Sequence, residues 1–229
     1  MSETRGKLQC KIKICGLSRI NDIEAVNRAL PDFIGFVFAP SRRKVDITLA
    51  AMLKEKLDPR IEAAGVFVNE KIEVITDIYR KGIISIVQLH GDENDEYIKR
   101  LKENCTCRVI KAVYAGNEMP AFPRESDYLL FDTLSESRGG TGKTFDWSVL
   151  KEHCRASLYC PASLYCPTKL DKGIPFFLAG GLSIENAADA VRLLKPFCVD
   201  VSSGVETGGF KDAEKIEKVV NMIRGINER

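Results

Sequence analysis

The chain has 229 residues, of which 45% are hydrophobic and 29% charged, and its formal net charge is +2. This composition is typical of one globular domain with a large core, and the interspersed charges with no long basic run argue against nucleic acid as a partner. No apolar stretch approaches the roughly 20 residues of a membrane helix, and MSETRGK lacks the apolar centre of a secretory signal, which predicts a cytoplasmic protein without membrane contact.

The first half of the chain alternates short strand-like runs with amphipathic helical patterns. The successive pairs are KIKIC with INDIEAVNRAL, DFIGFVF with DITLAAMLKEKL, EAAGVFV with EKIEVITDIYRKG, and SIVQLH with ENDEYIKRLKEN. Each strand is followed by a helix, which is the pattern of parallel βα units.

The second half continues the alternation almost to the end of the chain. RVIKAV leads into a Pro-interrupted connector, and then come YLLFD with FDWSVLKEHC, PFFLAG with SIENAADAVRLLK, and CVDVS with DAEKIEKVVNMIRGI. About eight βα units predict an α/β fold, a single (βα)8 TIM barrel over residues 1–229. An open doubly wound sheet is the competitor, but no G-x-G-x-x-G turn follows an early strand.

An immediate repeat, ASLYCPASLYCP at residues 156–167, precedes the seventh predicted strand. Two Pro-ended copies cannot continue a helix, and twelve residues are too few for a stacked repeat architecture. The segment is therefore predicted to be an exposed loop insertion at about residues 155–168.

The eight cysteines are expected to be free thiols, because the chain is neither small nor visibly secreted. No metal is expected either, since CTC leaves one residue between its thiols and the two histidines, His90 and His153, are far apart in sequence. A metal or redox role for Cys154, Cys160 and Cys166 is the weaker alternative.

Reactive or polar residues follow nearly every predicted strand. In a barrel this edge is the catalytic face, although any single polar residue there is equally explained by solvation of a strand end. The series favours an active site, and its members are Cys15, the PSRR segment, Asn69, His90, Asp132, the AGG segment and the SSG segment.

Two glycine-rich loops follow the seventh and eighth predicted strands. The first contains Gly180 and Gly181, and the second contains Ser202, Ser203 and Gly204. Glycine lets backbone N–H groups approach an oxyanion, and the positive end of a short helix adds attraction. Tight turns alone would also explain each loop, but their pairing favours a small phosphorylated substrate.

Seven motifs in register resemble those of the phosphoribosylanthranilate isomerase family, from about Lys11 to the C-terminus. They are KICGL, GFVFAPSRR, GVFVNE, VQLHGDE, FDTLSESRGGTGKTFDW, LAGGLSIEN and DVSSGVE. The resemblance implies a (βα)8 barrel that converts N-(5′-phosphoribosyl)anthranilate into 1-(2-carboxyphenylamino)-1-deoxyribulose 5-phosphate, without cofactor or metal. It leaves a monomer and a homodimer equally open.

That reaction, an Amadori rearrangement, needs an acid for the ring oxygen and a base for the proton on C2. The resemblance implies Cys15 as the general base and Asp132 as the general acid. We expect backbone dipoles and cationic neighbours to raise the thiolate fraction of Cys15, and desolvation to keep Asp132 protonated. Asp146 is predicted to cap the helix that follows it.

The anthranilate carboxylate calls for a guanidinium, which binds a carboxylate through two parallel hydrogen bonds. The resemblance assigns this role to Arg43, with neighbouring Arg42 as the alternative, because the loop APSRRKV is one residue shorter than in many relatives. His90 is expected to line the site, and a packing or hydrogen-bonding histidine is the competing interpretation.

Two other functions are weighed against this one. Another barrel enzyme acting on a sugar phosphate would use two carboxylates, as in the histidine-pathway isomerase, or a lysine-rich strand set, as in indole-glycerol-phosphate synthase, and Cys15 argues against both. A non-catalytic phosphate-binding barrel is the third hypothesis, against which Cys15, Asp132 and Arg43 argue together.

Overall fold

The computed structural model of the protein describes residues 9–115, 123–133, 147, 150 and 174–228. Within these ranges eight parallel strands pair in chain order, and the last pairs with the first to close a barrel. The predicted (βα)8 fold is thereby confirmed. Asp146 and the insertion at 155–168 lie outside the described residues.

The barrel strands are β1 (Lys11–Cys15), β2 (Phe33–Val37), β3 (Glu62–Phe67), β4 (Ile86–Leu89), β5 (Arg108–Ala115), β6 (Tyr128–Thr133), β7 (Phe176–Leu178) and β8 (Cys198–Val201). The described helices are α1 (Ile20–Ala29), α2 (Ile47–Glu55), α3 (Ile72–Arg80), α4 (Asp95–Asn104), α5 (Ala187–Leu194) and α6 (Ala213–Asn227). Most of these elements coincide with the predicted runs to within two residues.

Two local features differ from the sequence prediction. Helix α5 begins at Ala187 and not at Ser183, because the Ser183 backbone N–H donates to the Asn186 side chain at 2.9 Å and forms a turn there. A short hairpin, β9 (Glu206–Thr207) and β10 (Phe210–Lys211), stands between β8 and α6. Its Gly-Gly turn is a hairpin signal that the prediction did not use.

The core has two layers because successive strand residues point to opposite faces of the barrel wall. Outward-facing residues such as Ile12 and Ile14 pack against the helices. Inward-facing apolar residues fill the barrel interior, and they are Phe33, Ala64, Ile86, Ile110, Ala112, Leu130, Phe177, Ala179 and Cys198. These apolar residues form the inner core of the barrel, and the polar residues at the strand ends lie above it.

The described cysteines confirm the prediction of free thiols at their positions. Cys10, Cys15, Cys105, Cys107 and Cys198 are all unbridged. Within the same ranges, no three His, Cys, Asp or Glu side chains come together in a way that would hold a metal ion. No helix of the described part of the chain has the length and apolarity needed to cross a membrane.

Candidate active site

A cavity of about 640 Å³ opens at the carboxyl ends of the barrel strands. The structure brings eight of the nine predicted site residues into its wall, namely Cys15, Arg43, His90, Asp132, Gly180, Gly181, Ser202 and Ser203. Gly204 is outside this lining set. The residues gathered from the ends of β1, β2, β4, β6, β7 and β8 therefore share one chamber.

Cys15 ends β1 and lies beside Gly35 of β2. A β-carbon built on Gly35 would be 2.6 Å from the Cys15 Sγ and 3.3 Å from the Lys13 Nζ. Real β-carbons essentially never come within 3.0 Å of another heavy atom, so a β-carbon at this position would force the thiol to shift. The absence of a side chain at Gly35 makes the room that the thiol occupies.

A buried ion pair lies beneath the thiol. The Lys13 Nζ is 2.7 Å from the Asp200 Oδ2, and the two side chains are 0% and 6% exposed. Burial alone would lower the pKa of Lys13, but the charges of Asp200 and Cys15 raise it, so the ammonium stays charged. The second oxygen of Asp200, Oδ1, is buried and has no hydrogen-bond partner among the described residues.

The electrostatics of Cys15 differ from the sequence expectation. Burial raises the pKa of the thiol above its ordinary value and is the largest effect, and the charge of Asp200 adds to it. The charges of Lys13 and Lys211 lower the pKa but do not offset the loss of hydration. The expected cationic neighbours are present, yet the predicted increase in thiolate fraction was wrong in direction.

Asp132 and His90 face each other across the cavity wall, with 3.4 Å between the Asp132 Oδ2 and the His90 Nε2. On the other side of the ring, the Gln88 Nε2 lies 3.1 Å from the His90 Nδ1. The donor and acceptor roles in this contact depend on the ring tautomer, and donation from the amide to Nδ1 would put the ring hydrogen on Nε2, which faces the carboxyl. The Tyr114 hydroxyl also donates to the His90 carbonyl oxygen at 3.2 Å.

Four charged side chains meet between the β2 loop and the hairpin. The Glu206 carboxylate accepts from the Arg43 Nε at 2.7 Å and Nη2 at 3.1 Å. It also accepts from Arg42 and, at 2.8 Å, from the Lys211 Nζ. Both arginines line the cavity, so the cluster places guanidinium groups at one end of it.

The two glycine-rich loops lie side by side at another part of the mouth. Gly180 and Gly181 have φ angles of 80° and 64°, which favour glycine. Gly204 pairs with Ser183 in a parallel bridge, and a β-carbon on it would be 2.0 Å from the Leu182 carbonyl oxygen. The close approach of the two backbones, and no positive φ, requires glycine at position 204.

The Ser202 hydroxyl donates to the Cys15 carbonyl oxygen at 3.0 Å and ties the β8 loop to β1. No helix follows this loop directly, because the hairpin intervenes before α6. The expected help of a helix terminus is therefore missing after β8.

Comparison with known proteins adds a separate line of evidence. Residues 12–222 match the family described as N-(5'phosphoribosyl)anthranilate (PRA) isomerase. The chain belongs to this family. It is 45% identical over 217 residues to the N-(5'-phosphoribosyl)anthranilate isomerase of Endomicrobium trichonymphae, covering 94% of this chain and 99% of the relative. It is 44% identical over 216 residues to that of Clostridium acetobutylicum, covering 93% and 98%.

Solved structures of PRA isomerases are similar to this one. Two structures of the enzyme from Thermotoga maritima have TM-scores of 0.74 and 0.78, and the higher score comes with 33% identity, 95% coverage of this chain and 100% of the other. A PRA isomerase in complex with reduced 1-(o-carboxyphenylamino)-1-deoxyribulose 5-phosphate has a TM-score of 0.74, 31% identity and coverages of 95% and 100%. Membership decides against the two alternative barrel enzymes.

Four polar residues at or beside the cavity were not recognised from the sequence. They are Lys13, Gln88, Asp200 and Glu206. Lys13, Gln88 and Asp200 each stand two residues before a recognised site residue, and the two-residue period of a strand places them on the same inward face. That spacing was a usable signal. Glu206 carries no such signal, because only the hairpin brings it to the arginines.

Proposed function

We propose that the protein converts N-(5′-phosphoribosyl)anthranilate into 1-(2-carboxyphenylamino)-1-deoxyribulose 5-phosphate, with Cys15 as general base and Asp132 as general acid. The observation that carries the proposal is the gathering of both groups, with Arg43 and the two glycine-rich loops, around one cavity. The complex of a similar family member with the reduced product supports the same substrate class.

The reaction begins with opening of the ribose ring. Asp132 donates a proton to the ring oxygen as the C1–O bond breaks, and the lone pair of the anthranilate nitrogen, which keeps its hydrogen, forms the C1=N bond of a protonated imine. The contact with the His90 Nε2, at 3.4 Å, orients the Asp132 carboxyl. An acid fixed in the cavity wall in this way can transfer its proton without a diffusional encounter.

The second step is removal of the C2 proton. The Cys15 thiolate takes it, the C–H electron pair forms the C1=C2 bond, and the π electrons of the C1=N bond return to the nitrogen, so that the protonated imine becomes the enamine. Tautomerisation of the resulting enolamine gives the C2 ketone. The raised pKa of Cys15 makes the thiolate scarcer at neutral pH but a stronger base, and the charge of Lys13 stabilises it.

Binding is divided among three parts of the cavity. Arg43 binds the anthranilate carboxylate, and the backbone around Gly180, Gly181 and Ser203 binds the phosphate. Two buried acceptor atoms without partners in the described part of the chain, Asp200 Oδ1 and Gln88 Oε1, suit the ribose hydroxyl groups. This division holds the substrate with C2 toward β1 and the ring oxygen toward β6.

The test uses purified protein and freshly generated phosphoribosylanthranilate, with the loss of its fluorescence as the measurement. We expect catalysis by the wild type and none above background by Cys15→Ser, whose hydroxyl is a much weaker base. The serine variant should still bind the reduced product. Wild-type protein that does not accelerate the reaction would leave a non-catalytic phosphate-binding barrel as the better description.

The cytoplasmic location, the lack of a nucleic-acid partner, and the choice between monomer and homodimer stay predictions. One solved structure of the Thermotoga maritima relative is of monomers generated from a dimeric enzyme.

A further inference from the structure

Proceeding from the proposed function, we infer that Glu206 is a positioning residue for recognition of the anthranilate carboxylate. It holds the Arg43 guanidinium by one edge and leaves the other edge for the substrate. The role is distinct from those of Cys15 and Asp132, since Glu206 touches no reacting atom.

The contact geometry defines which edge of the guanidinium is occupied. Glu206 accepts from Nε at 2.7 Å and from Nη2 at 3.1 Å, which is the side-on, two-pronged contact. A guanidinium carries five N–H groups, so both hydrogens on Nη1 and one on Nη2 remain for a second carboxylate. The fork therefore has room for both Glu206 and the substrate.

Burial shows on which side Glu206 lies. The Glu206 side chain is 5% exposed and that of Arg43 is 15% exposed. Arg43 lines the cavity, whereas Glu206 is not among the described residues that do. The Glu206 carboxylate therefore contacts Arg43 on the side away from the cavity, and the free edge of the guanidinium is left for the substrate.

The charge balance leaves the cluster ready for another anion. One carboxylate, Glu206, is shared by three cations, Arg42, Arg43 and Lys211. Burial alone would raise the pKa of Glu206, but the hydrogen bonds from Arg43 and Lys211 outweigh it and the pKa is lowered. Glu206 is therefore ionised at neutral pH, restrains three mutually repelling cations, and still leaves an excess of positive charge.

Two other interpretations make different predictions. If Glu206 occupied the position of the substrate carboxylate, its removal would strengthen binding, because a competitor would be gone. If Glu206 only anchored the hairpin through Lys211, its removal would weaken every ligand of the cavity equally. A positioning role weakens only those ligands that present the carboxylate.

The experiment compares two ligands on three proteins. The first ligand is the reduced product, which is reduced 1-(2-carboxyphenylamino)-1-deoxyribulose 5-phosphate. The second ligand is the same compound without the carboxylate on its aromatic ring. The proteins are the wild type, Glu206→Gln and the control Glu214→Gln, whose side chain is 86% exposed. Dissociation constants are measured by calorimetry, so that they do not depend on turnover.

In Glu206→Gln we expect the carboxylate ligand to bind roughly 10-fold more weakly, the loss of a charge-assisted contact, with the carboxylate-free ligand changed by less than about twofold. KM for phosphoribosylanthranilate should rise by a similar factor and kcat should change little. Glu214→Gln should match the wild type. Tighter binding, or equal weakening of both ligands, would overturn the inference.

A second background tests whether Glu206 acts through Arg43. Added to Arg43→Ala, the change Glu206→Gln should weaken the carboxylate ligand by less than about a further twofold, because its intermediary is already absent. A full additive loss would contradict the inference. If Glu206→Gln does not fold, Glu206→Asp decides, since the shorter side chain cannot keep the side-on contact, and wild-type affinity in that variant would refute it.

Failure of this inference and failure of the proposed function give different results. No turnover by the wild type refutes the proposed function, while the calorimetric comparison can still be made. Normal turnover together with unchanged affinities in Glu206→Gln refutes only the role of Glu206.

Discussion

The close contact between Gly35 and the Cys15 thiol allows a test of how precisely the thiol must be positioned for catalysis. Replacing Gly35 by alanine adds one methyl group at the barrel wall. That β-carbon would be 2.6 Å from the Cys15 Sγ, and 3.3 Å from both the Lys13 Nζ and the Cys15 Cα. Since ordinary contact begins near 3.4 Å, the thiol must move by roughly 1 Å, a displacement that can cost about 100-fold in rate.

The assay is the steady-state conversion of phosphoribosylanthranilate by Gly35→Ala. We expect kcat to fall by about 100-fold, while stability falls by about 1–3 kcal/mol from overpacking. The matched control is Gly225→Ala in α6, where an added β-carbon meets nothing within 4 Å. This control should keep its activity and gain about 0.5–1 kcal/mol, since alanine is the better helix former.

The reasoning is refuted if folded Gly35→Ala keeps more than about half of the wild-type kcat. Such a result would mean that the thiol has freedom to move without loss of catalysis, or that another group removes the C2 proton. Binding of the reduced product separates these effects from misfolding, because a misfolded variant would not bind it.

Three further outcomes are expected. Gly204→Val should separate the two glycine-rich loops, because its β-carbon would be 2.0 Å from the Leu182 carbonyl oxygen. We expect the free energy of unfolding to fall by about 2–3 kcal/mol, measured as a fall in Tm of roughly 5–10 °C, together with weaker inhibition by inorganic phosphate. An unchanged Tm would disprove the contact. Because burial raises the pKa of Cys15, the rate of Cys15 alkylation by iodoacetamide should keep rising with pH beyond the ordinary thiol pKa of about 8.5, and a plateau already at pH 7 would contradict the raised pKa. Asp132→Asn should lower kcat by about 100-fold with little change in affinity for the reduced product, and retention of more than about a tenth of the rate would place the acid elsewhere.

The sequence by itself determined the architecture and most of the chamber. The alternation of strand and helix patterns specifies parallel βα units, and parallel strands put their carboxyl ends at one face of a closed barrel. Cys15, His90 and Asp132 could therefore be assigned to one site from the sequence, because each lies at the carboxyl end of a predicted strand. Local sequence carries this information since strand direction and period are local properties.

Only the tertiary structure decided the environment of those groups. Burial depends on the surrounding structure. The sequence alone could not show that the loss of hydration raises the pKa of Cys15 by more than the charge of Lys13 lowers it. Arg43 and Glu206 form an ion pair although they are 163 positions apart in the chain. They meet because the β9–β10 hairpin, which contains Glu206, lies beside the loop after β2. Likewise Gly204 is glycine because a backbone from another loop passes against it. Contacts between distant segments depend on how the loops pack, and no local pattern in the chain encodes that packing.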